Sequence, residues 1–330
     1  MSKRIVRMDN ENDKKGSTPA SLALKDKELS GDANIKIGRQ TLSLTNLDKA
    51  YWPDDGYTKG DLVRYYYEIS KFILPYLKDR PLILKRYPSG IKGPSFHQHD
   101  VDEAPGYVRT VAVEVEDNSG GHTVNYMVGG NLATLLYAAN LGAIECHPWH
   151  SRTRNLDHPD WLVFDLDPGE GVDFKTICEA ALCVREVLSR QGLYSYAKTS
   201  GSRGIHVYLP IKPAYSYEQL VKFAERVATL VAREMPEAAT VERSLKKRRR
   251  GQIYIDHLQN ARGKSIAAPY SVRPKPGATV SAPLDWSEIK RKKIEPQDFT
   301  IKNMLRRIER RGDLFKEVLS NRQILSGVLE

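Results

Sequence analysis

A run of alternating strand and helix patterns between residues 161 and 234 restricts the fold of this chain more than any other feature. Residues 161–167 are apolar except at two acidic positions near the end, which is typical of a largely buried strand. Gly192 stops the next helix, and Ser216 with Gln219 predicts a capping box for the one after. The predicted order is a strand at 161–167, a helix at 174–192, strands at 194–199 and 205–210, and a helix at 216–234. Such interleaving is typical of the α/β class, here a mixed α+β chain.

The remainder of the chain continues this interleaving after a polar N-terminal segment. Residues 1–33 are polar, rich in lysine and without aromatic side chains, so we predict a disordered tail there and an ordered domain at 34–330. Thr58 with Asp61 predicts the start of a helix. The other predicted elements are a helix at 58–77, a strand at 81–87, a helix at 131–144, a strand at 252–257, a Pro/Gly-rich loop at 274–283 and a basic helix at 300–320.

The composition favours an ordinary globular protein with a polyanionic partner. No stretch reaches the roughly 20 apolar residues of a membrane span, and the N-terminus lacks the apolar core of a secretory signal. The three cysteines form no CxxC pair, which argues against structural zinc and favours a reducing, cytoplasmic location. The net charge of +10 suits nucleic acid, because phosphate contacts release counterions. A basic surface that binds no nucleic acid would give the same net charge.

Two acids close the apolar strand in the sequence FDLDP. Asp165 and Asp167 point to one face of a strand, with Cα atoms roughly 6.6–7 Å apart. Burying two like charges is costly, so a divalent metal ion is the natural partner. An ordinary strand end followed by a turn would look the same.

A third acid, Asp256, lies on the polar face of the later strand IYIDH. Three acids at strand ends, two close in sequence and one remote, match the needs of two-metal phosphoryl transfer.

Between these strands, residues 200–204 (SGSRG) predict a tight turn. Its glycines let backbone N–H groups approach a phosphate, and Arg203 and His206 add charge and a donor. An ordinary hairpin is the alternative. The basic run 243–250 leads directly into the Asp256 strand, which favours a polyphosphate or DNA contact over a solvated loop. His147 is better explained as a nucleotide contact than as a zinc ligand.

The motifs FDLDPGEG, TSGSRGIHVYLP and IYIDHLQN-ARGKSIAAPYSVR, in this order, resemble the archaeo-eukaryotic primase superfamily, and most of all the polymerase domain of bacterial ligase D and its free-standing relatives. The stretches LTNLDKAYWPDDGYTKGDLVRYYYEIS and RPLILKRYPSGIKGPSFHQ are also similar to that family. The resemblance covers residues 35–315. It implies a primase-type catalytic core, in which a mixed α/β module packs on a module like an RNA-recognition motif around a central cleft.

The resemblance also implies roles for particular residues. Asp165, Asp167 and Asp256 match the three metal-binding catalytic acids. The nucleotide- or primer-side contacts it implies are Lys85, His147, Ser200, Arg203, His206, Arg249, Gln259 and Arg273. A pocket for the 5′-phosphate of a gap matches Asn46, Lys49 and Lys59. Phe96 and His97 match an aromatic pair that stacks on template bases, although relatives commonly have Phe at the second position.

The function implied is a nucleotidyltransferase that fills gaps and extends DNA ends in non-homologous end joining. It would use two Mn²⁺ or Mg²⁺ ions and NTPs in preference to dNTPs, as a monomer in the nucleoid, with Ku and an ATP-dependent DNA ligase as partners and no membrane association. One ion would lower the pKa of the primer 3′-hydroxyl and the other would neutralise the leaving pyrophosphate. The alternatives are a primase for replication or damage bypass, a non-catalytic DNA-end binding module, and a metal-dependent nuclease.

Overall fold

The structure, a computed structural model, describes residues 5–8, 29–117 and 120–325. The chain divides into two compact units. The first unit spans the chain up to His147 together with Pro274–Ala278, and the second spans Pro148–Arg273 and the chain from Thr279 onward.

The first unit begins with two small sheets. Strand β1 pairs in parallel with β2, and β2 pairs antiparallel with β3, while β4 and β5 form a hairpin. The strands are β1 (Ile5–Met8), β2 (Ala33–Ile37), β3 (Gln40–Leu44), β4 (Ala50–Trp52) and β5 (Tyr57–Thr58). The loop between β3 and β4 is bonded to the start of the first helix, where the N–H groups of Lys59 and Gly60 donate to the carbonyls of Lys49 and Leu47.

The rest of the first unit is a five-stranded sheet with three helices. The strands run in the order β10-β6-β9-β8, and β7 pairs separately with β6. The helices are α1 (Lys59–Glu68), α2 (Ser70–Leu77) and α3 (Leu132–Asn140). The strands are β6 (Pro81–Arg86), β7 (Phe96–Gln98), β8 (Thr110–Asp117), β9 (Gly120–Val128) and β10 (Ala143–Pro148).

The second unit is built on a six-stranded sheet in the order β14-β15-β11-β13-β12-β16. Its strands are β11 (Trp161–Pro168), β12 (Tyr196–Thr199), β13 (Ile205–Pro210), β14 (Ala239–Thr240), β15 (Ile253–Asp256) and β16 (Pro283–Leu284). Its helices are α4 (Phe174–Ser189), α5 (Tyr217–Glu234), α6 (Trp286–Arg291) and α7 (Met304–Arg311). Short 3₁₀ turns lie at Leu258–Asn260, Pro296–Asp298 and Lys316–Leu319.

The apolar core of the second unit lies between its sheet and the helices α4 and α5. All six residues of β13 are buried, and β11 is buried up to its first acid. Helices α4 and α5 pack on each other and on β11, through the apolar stripe that the sequence predicts. Strands β11 and β13, which carry predicted site residues, are therefore held at the centre of a packed sheet.

The predicted α/β class is confirmed, as are the capping boxes at Thr58 and Ser216. The buried strand 161–167 and the strand 205–210 appear with nearly the predicted bounds. Three helices were predicted too long. The helix at 58–77 is two helices that meet at Ile69, the helix at 131–144 ends at Asn140, and the helix at 300–320 ends at Arg311.

The physical reason for two of these early stops is glycine. Gly142 and Gly312 adopt positive φ angles of 84° and 71°, a conformation that ends a helix.

Of the predicted tail, residues 1–4 and 9–28 lie outside the described residues. Within 1–33 the prediction was wrong at Ile5–Met8, which pairs with β2, and at Leu29, whose side chain is buried.

Across the described ranges, no helix combines the length and apolarity required to cross a bilayer.

Candidate active site

Four ionisable side chains form one row across the centre of the six-stranded sheet. In the antiparallel register, Lys198 of β12 lies opposite His206 of β13, and His206 lies opposite Asp165 of β11. Asp165 in turn lies opposite Asp256 of β15. Directly opposed residues project from the same face of a sheet, so strand pairing alone assembles the row. Asp167, two residues along β11, lies opposite Tyr254 on that face.

Asp165 is the electrostatic centre of this row. Burial, and after it the negative charges of Asp167 and Asp256, raise its pKa to about 7 against the opposing charges of Lys198 and Arg273. Its Oδ1 lies 3.4 Å from Nε2 of His206. Strand pairing therefore brings Asp256 beside Asp165 and Asp167, although it is remote from them in sequence.

Asp167 has a different environment, because the charges of two arginines act on it. Burial raises its pKa, and the charges of Arg203 and Arg248 oppose that effect. The guanidinium of Arg248 stacks 4.0 Å from the centre of the Tyr254 ring. The hydroxyl of Tyr254 donates to Oδ1 of Asp256 over 3.2 Å. Arg248 and Tyr254 thus belong to the acid cluster, and the sequence analysis did not single out either.

The acids fit a divalent cation that keeps part of its coordination for water and substrate. Within the described ranges, no three His, Cys, Asp or Glu side chains are grouped so that they could hold a metal ion together. Mg²⁺ is commonly held by one or two carboxylates and substrate phosphates rather than by an all-protein cage. The raised pKa of Asp165 reflects burial first and then the negative charges of Asp167 and Asp256, which such an ion would offset. The two-ion centre on Asp165, Asp167 and Asp256 remains a prediction.

The pKa of Asp165 gives a stability prediction with a definite sign. Because the pKa rises from 3.8 to about 7 on folding, the folded chain holds this proton more tightly than the unfolded chain. Without metal, the free energy of unfolding should fall as the pH rises from about 4 to about 7. Asp165→Asn removes the charge and should stabilise the chelator-treated protein above pH 7 by about 2 kcal/mol, or about 5 °C in Tm. Differential scanning calorimetry in EDTA measures this.

Asp157→Asn is the matched control, because Asp157 is exposed and pairs with Arg262 on the surface. It should change the Tm by no more than about 1 °C. Added Mg²⁺ should raise the Tm of the wild type and have little effect on Asp165→Asn. A variant no more stable than the wild type in EDTA would contradict the assigned electrostatics.

A tight turn joins β12 and β13 at the predicted residues, and the side chain of its first residue closes it. The hydroxyl of Ser200 accepts from the N–H groups of Ser202 and Gly204, over 3.1 and 3.0 Å. Gly201 has a φ of +70°, and a Cβ there would lie 2.8 Å from the nitrogen of Ser281. A Cβ on Gly204 would lie 2.3 Å from the carbonyl oxygen of Leu166. The turn therefore packs against the strand that carries the acids, and both glycines are required by close approach.

Two of the other predicted contacts lie beside this turn and the acids. Arg273 donates to the carbonyl oxygen of Ser200. The backbone N–H of Gln259 donates to Oδ1 of Asp256 over 3.2 Å. Arg249 is placed differently, because its guanidinium lies 3.3 Å from the carboxylate of Glu237 and donates to the carbonyl of Pro236. Of the two adjacent arginines, Arg248 is the one whose charge acts on the acids.

In the first unit, Lys85 and His147 converge on a carboxylate that the sequence analysis missed. Glu145 of β10 is almost fully buried, with His147 Nε2 at 3.0 Å and Lys85 Nζ at 3.9 Å from its oxygens. The His97 ring stands edge-on to His147 with centroids 6.4 Å apart. Burial, with the charges of Lys85 and His147, lowers the pKa of His97 from its usual value, against the charge of Glu145.

Phe96 and His97 are adjacent on β7 but have different neighbours. The ring of Phe96 lies 5.1 Å from the guanidinium of Arg86, whereas His97 lies opposite Lys85. Phe96 is 47% exposed, which is unusual for a large apolar side chain. Exposed rings are what base stacking requires.

The residues matched to a 5′-phosphate pocket are brought together in the first unit. The N–H of Lys59 donates to the carbonyl of Lys49 over 2.9 Å. The N–H of Lys49 donates in turn to the carbonyl of Asn46 over 3.1 Å. Lys59 is buried at the start of α1, and its Nζ donates to the carbonyl of Thr45 over 2.6 Å. Burial and the charge of Lys49 lower its pKa to about 8, against the charge of Asp32. A bound anion would offset this crowded positive charge.

Comparison with known proteins identifies the class. The family model of the LigD primase-polymerase domain matches residues 58–315. The chain belongs to this family, whose members are nucleotidyltransferases, and the resemblance predicted from the motifs is confirmed. Asn46 and Lys49 precede the matched range.

Individual relatives agree with this assignment. The chain is 36% identical over 285 residues to the bifunctional non-homologous end joining protein LigD of Bacillus subtilis, covering 86% of this chain and 45% of the relative. It is 33% identical over 288 residues to the multifunctional non-homologous end joining protein LigD of Mycobacterium bovis, covering 84% and 37%. It therefore spans less than half the length of these relatives.

A solved structure matches the fold as well. The polymerase domain of Mycobacterium tuberculosis ligase D, in complex with DNA, superposes with a TM-score of 0.78 at 31% identity, covering 86% of this chain and 99% of that one.

Proposed function

We propose that this chain is a template-dependent polymerase of non-homologous end joining, which fills gaps and extends broken DNA ends. The observation that supports this most strongly is the row that joins Asp165 to Asp256 and His206 in a chain of the LigD primase-polymerase family. Bound Mg²⁺ or Mn²⁺ ions, held by Asp165, Asp167 and Asp256, would supply charge stabilisation for phosphoryl transfer. NTPs are the preferred substrates and dNTPs the secondary ones.

The chain's own residues have separate tasks in this proposal. The turn at Ser200–Gly204, with Arg203 and His206, holds the triphosphate beside the acids. Arg273 supports that turn through the carbonyl of Ser200. Lys85, His147, Gln259 and Arg249 contact nucleotide or primer, and Phe96 and His97 stack on template bases. Ku and an ATP-dependent DNA ligase are the proposed partners of a monomer in the cytoplasmic nucleoid.

The experiment is extension of a labelled primer on a duplex with a one-nucleotide gap, using NTPs and dNTPs in parallel, with Mn²⁺, Mg²⁺ or EDTA. We expect incorporation of the complementary nucleotide, faster with NTPs, and none in EDTA. A template without a primer tests the alternative of a primase. DNA binding without incorporation under all conditions would contradict the proposal, and so would cleavage of the labelled strand in place of extension.

Lys49→Ala tests the proposed 5′-phosphate pocket. The substitution removes one cation of the cluster around Lys59, so we expect about tenfold weaker binding to a gap that carries a 5′-phosphate. Fluorescence anisotropy on otherwise identical gapped duplexes, with and without the phosphate, measures this. Lys36→Ala, at an exposed position of β2, is the control and should weaken both substrates equally and slightly. Equal losses on both substrates for Lys49→Ala would count against the pocket.

His97→Phe tests the proposed stacking contact. A phenyl ring stacks on bases more strongly than imidazole, so affinity for gapped DNA with an unpaired template base should rise about threefold. His99→Phe is the matched control, because the His99 ring packs near Tyr126 with centroids 6.0 Å apart. Weaker binding by His97→Phe, measured by anisotropy, would exclude His97 as a stacking residue.

A further inference from the structure

Lys198 is a fully buried lysine that has no role in the function proposed above. Its side chain has no exposed surface, although burying an ammonium group is costly. It stands at the end of the ionisable row away from Asp256, directly opposite His206. The Tyr208 ring lies 5.6 Å from its Nζ and provides a favourable face for a cation. A lysine in this position needs a specific reason.

The hydrogen bonds around Lys198 have a consistent direction. The hydroxyl of Ser281 donates to the carbonyl of Thr199 over 2.8 Å, so its lone pairs are left to accept from Lys198 Nζ at 2.6 Å. Nζ also lies 2.7 Å from Nδ1 of His206. The other ring nitrogen, Nε2, faces Oδ1 of Asp165 at 3.4 Å.

The position of Lys198 behind His206 favours one neutral tautomer of the ring. Its Nζ lies within hydrogen-bond distance of two groups, the hydroxyl of Ser281 and Nδ1 of His206. Because an amine can donate to both groups whether it is charged or neutral, Nδ1 is placed to accept. A neutral ring that accepts at Nδ1 carries its proton on Nε2, the nitrogen that faces Asp165.

We propose that Lys198 is a positioning residue that fixes the His206 ring with its proton on Nε2, so that His206 offers an N–H donor on the side of the acids. Its hydrogen bond to Nδ1 sets both the tautomer and the ring orientation, as hydrogen-bond partners do for histidines that bind metals. The use of this donor, to bind the phosphates of the incoming nucleotide, rests on the proposed function. The tautomer itself depends only on the fold.

The tautomer can be measured without any catalytic activity. The full chain, labelled with ¹⁵N-histidine and kept in Mg²⁺, is studied by NMR, and the His206 signals among the eight histidines are assigned by their loss in His206→Ala. We expect a protonated Nε2 and an unprotonated, hydrogen-bonded Nδ1. A proton on Nδ1 would overturn the proposal. If extension fails while the tautomer is as expected, the proposed function is wrong and the positioning is right.

A double-mutant cycle tests the consequence for the nucleotide. Lys198→Met keeps the length and apolar volume and should raise the KM for the nucleotide about tenfold, with unchanged affinity for DNA. In the His206→Ala background the same substitution should change KM by less than about twofold. Equal losses in both backgrounds would mean a merely structural role and overturn the proposal. Ser281→Ala, which removes the other partner of Nζ, should raise KM in the same direction; no change in KM would also overturn it.

Discussion

Asp165→Asn is expected to lower the rate of primer extension at least about 1,000-fold, because the substitution removes the charge at the centre of the acid row. The side chain keeps its size, so the strand pairing with His206 and Asp256 should persist. Affinity for gapped DNA should stay within about twofold of the wild type, since the variant loses a negative charge and no phosphate contact. Single-turnover extension and anisotropy on one substrate measure the two quantities.

Asp157→Asn is again the control, because its carboxylate lies on the surface and pairs with Arg262 at 2.9 Å. It should extend primers at the wild-type rate. Substantial extension by Asp165→Asn, or a parallel loss of DNA binding and extension, would show that this acid is not the catalytic centre.

Gly204→Ala is expected to have the second largest effect, because it forces apart two strands that hold the site. The new Cβ would lie 2.3 Å from the carbonyl oxygen of Leu166, which stands between Asp165 and Asp167 on β11. Such overpacking should cost about 3 kcal/mol of stability. Displacing the acids by even part of an ångström should lower the extension rate about 100-fold. Thermal unfolding and extension assays on the same preparation test both.

Gly106→Ala is the matched control for this prediction. A Cβ at Gly106 would meet no atom within 4 Å, and its φ lies outside the left-handed region. It should leave the Tm and the extension rate unchanged. If Gly204→Ala also behaved in this way, the close packing of the turn against β11 would be wrong.

The elements that sequence alone could predict are those with local signals. The helix α5 has a capping box and an unbroken apolar stripe, and β11 has an apolar run that ends in two acids. The hairpin turn is fixed by glycines within five residues. These signals lie in neighbouring residues, so they can be recognised without knowledge of the fold. The ends of two helices were predicted too late, although Gly142 and Gly312 are the same kind of local stop signal as Gly192.

The parts of the site that depend on strand pairing could not be predicted. Lys198 looks like an ordinary strand residue until β12 is placed opposite β13 and its Nζ reaches His206. The adjacent arginines at 248 and 249 are indistinguishable in sequence. Of the two, Arg248 is the one whose charge affects the pKa of Asp167. Glu145 lies two residues from His147, a spacing at which strand side chains share a face, and this was the one local signal available.

The most direct test of the central claim is a count of the ions held by the acid row. The wild-type chain, bound to a gapped duplex and a non-hydrolysable NTP, is titrated with Mn²⁺ and followed by electron paramagnetic resonance. Two tightly bound ions are expected, and Asp165→Asn should lose at least one of them. Binding of no ion by the wild-type complex, or an unchanged count in Asp165→Asn, would contradict a metal-dependent nucleotidyltransferase centred on Asp165, Asp167 and Asp256.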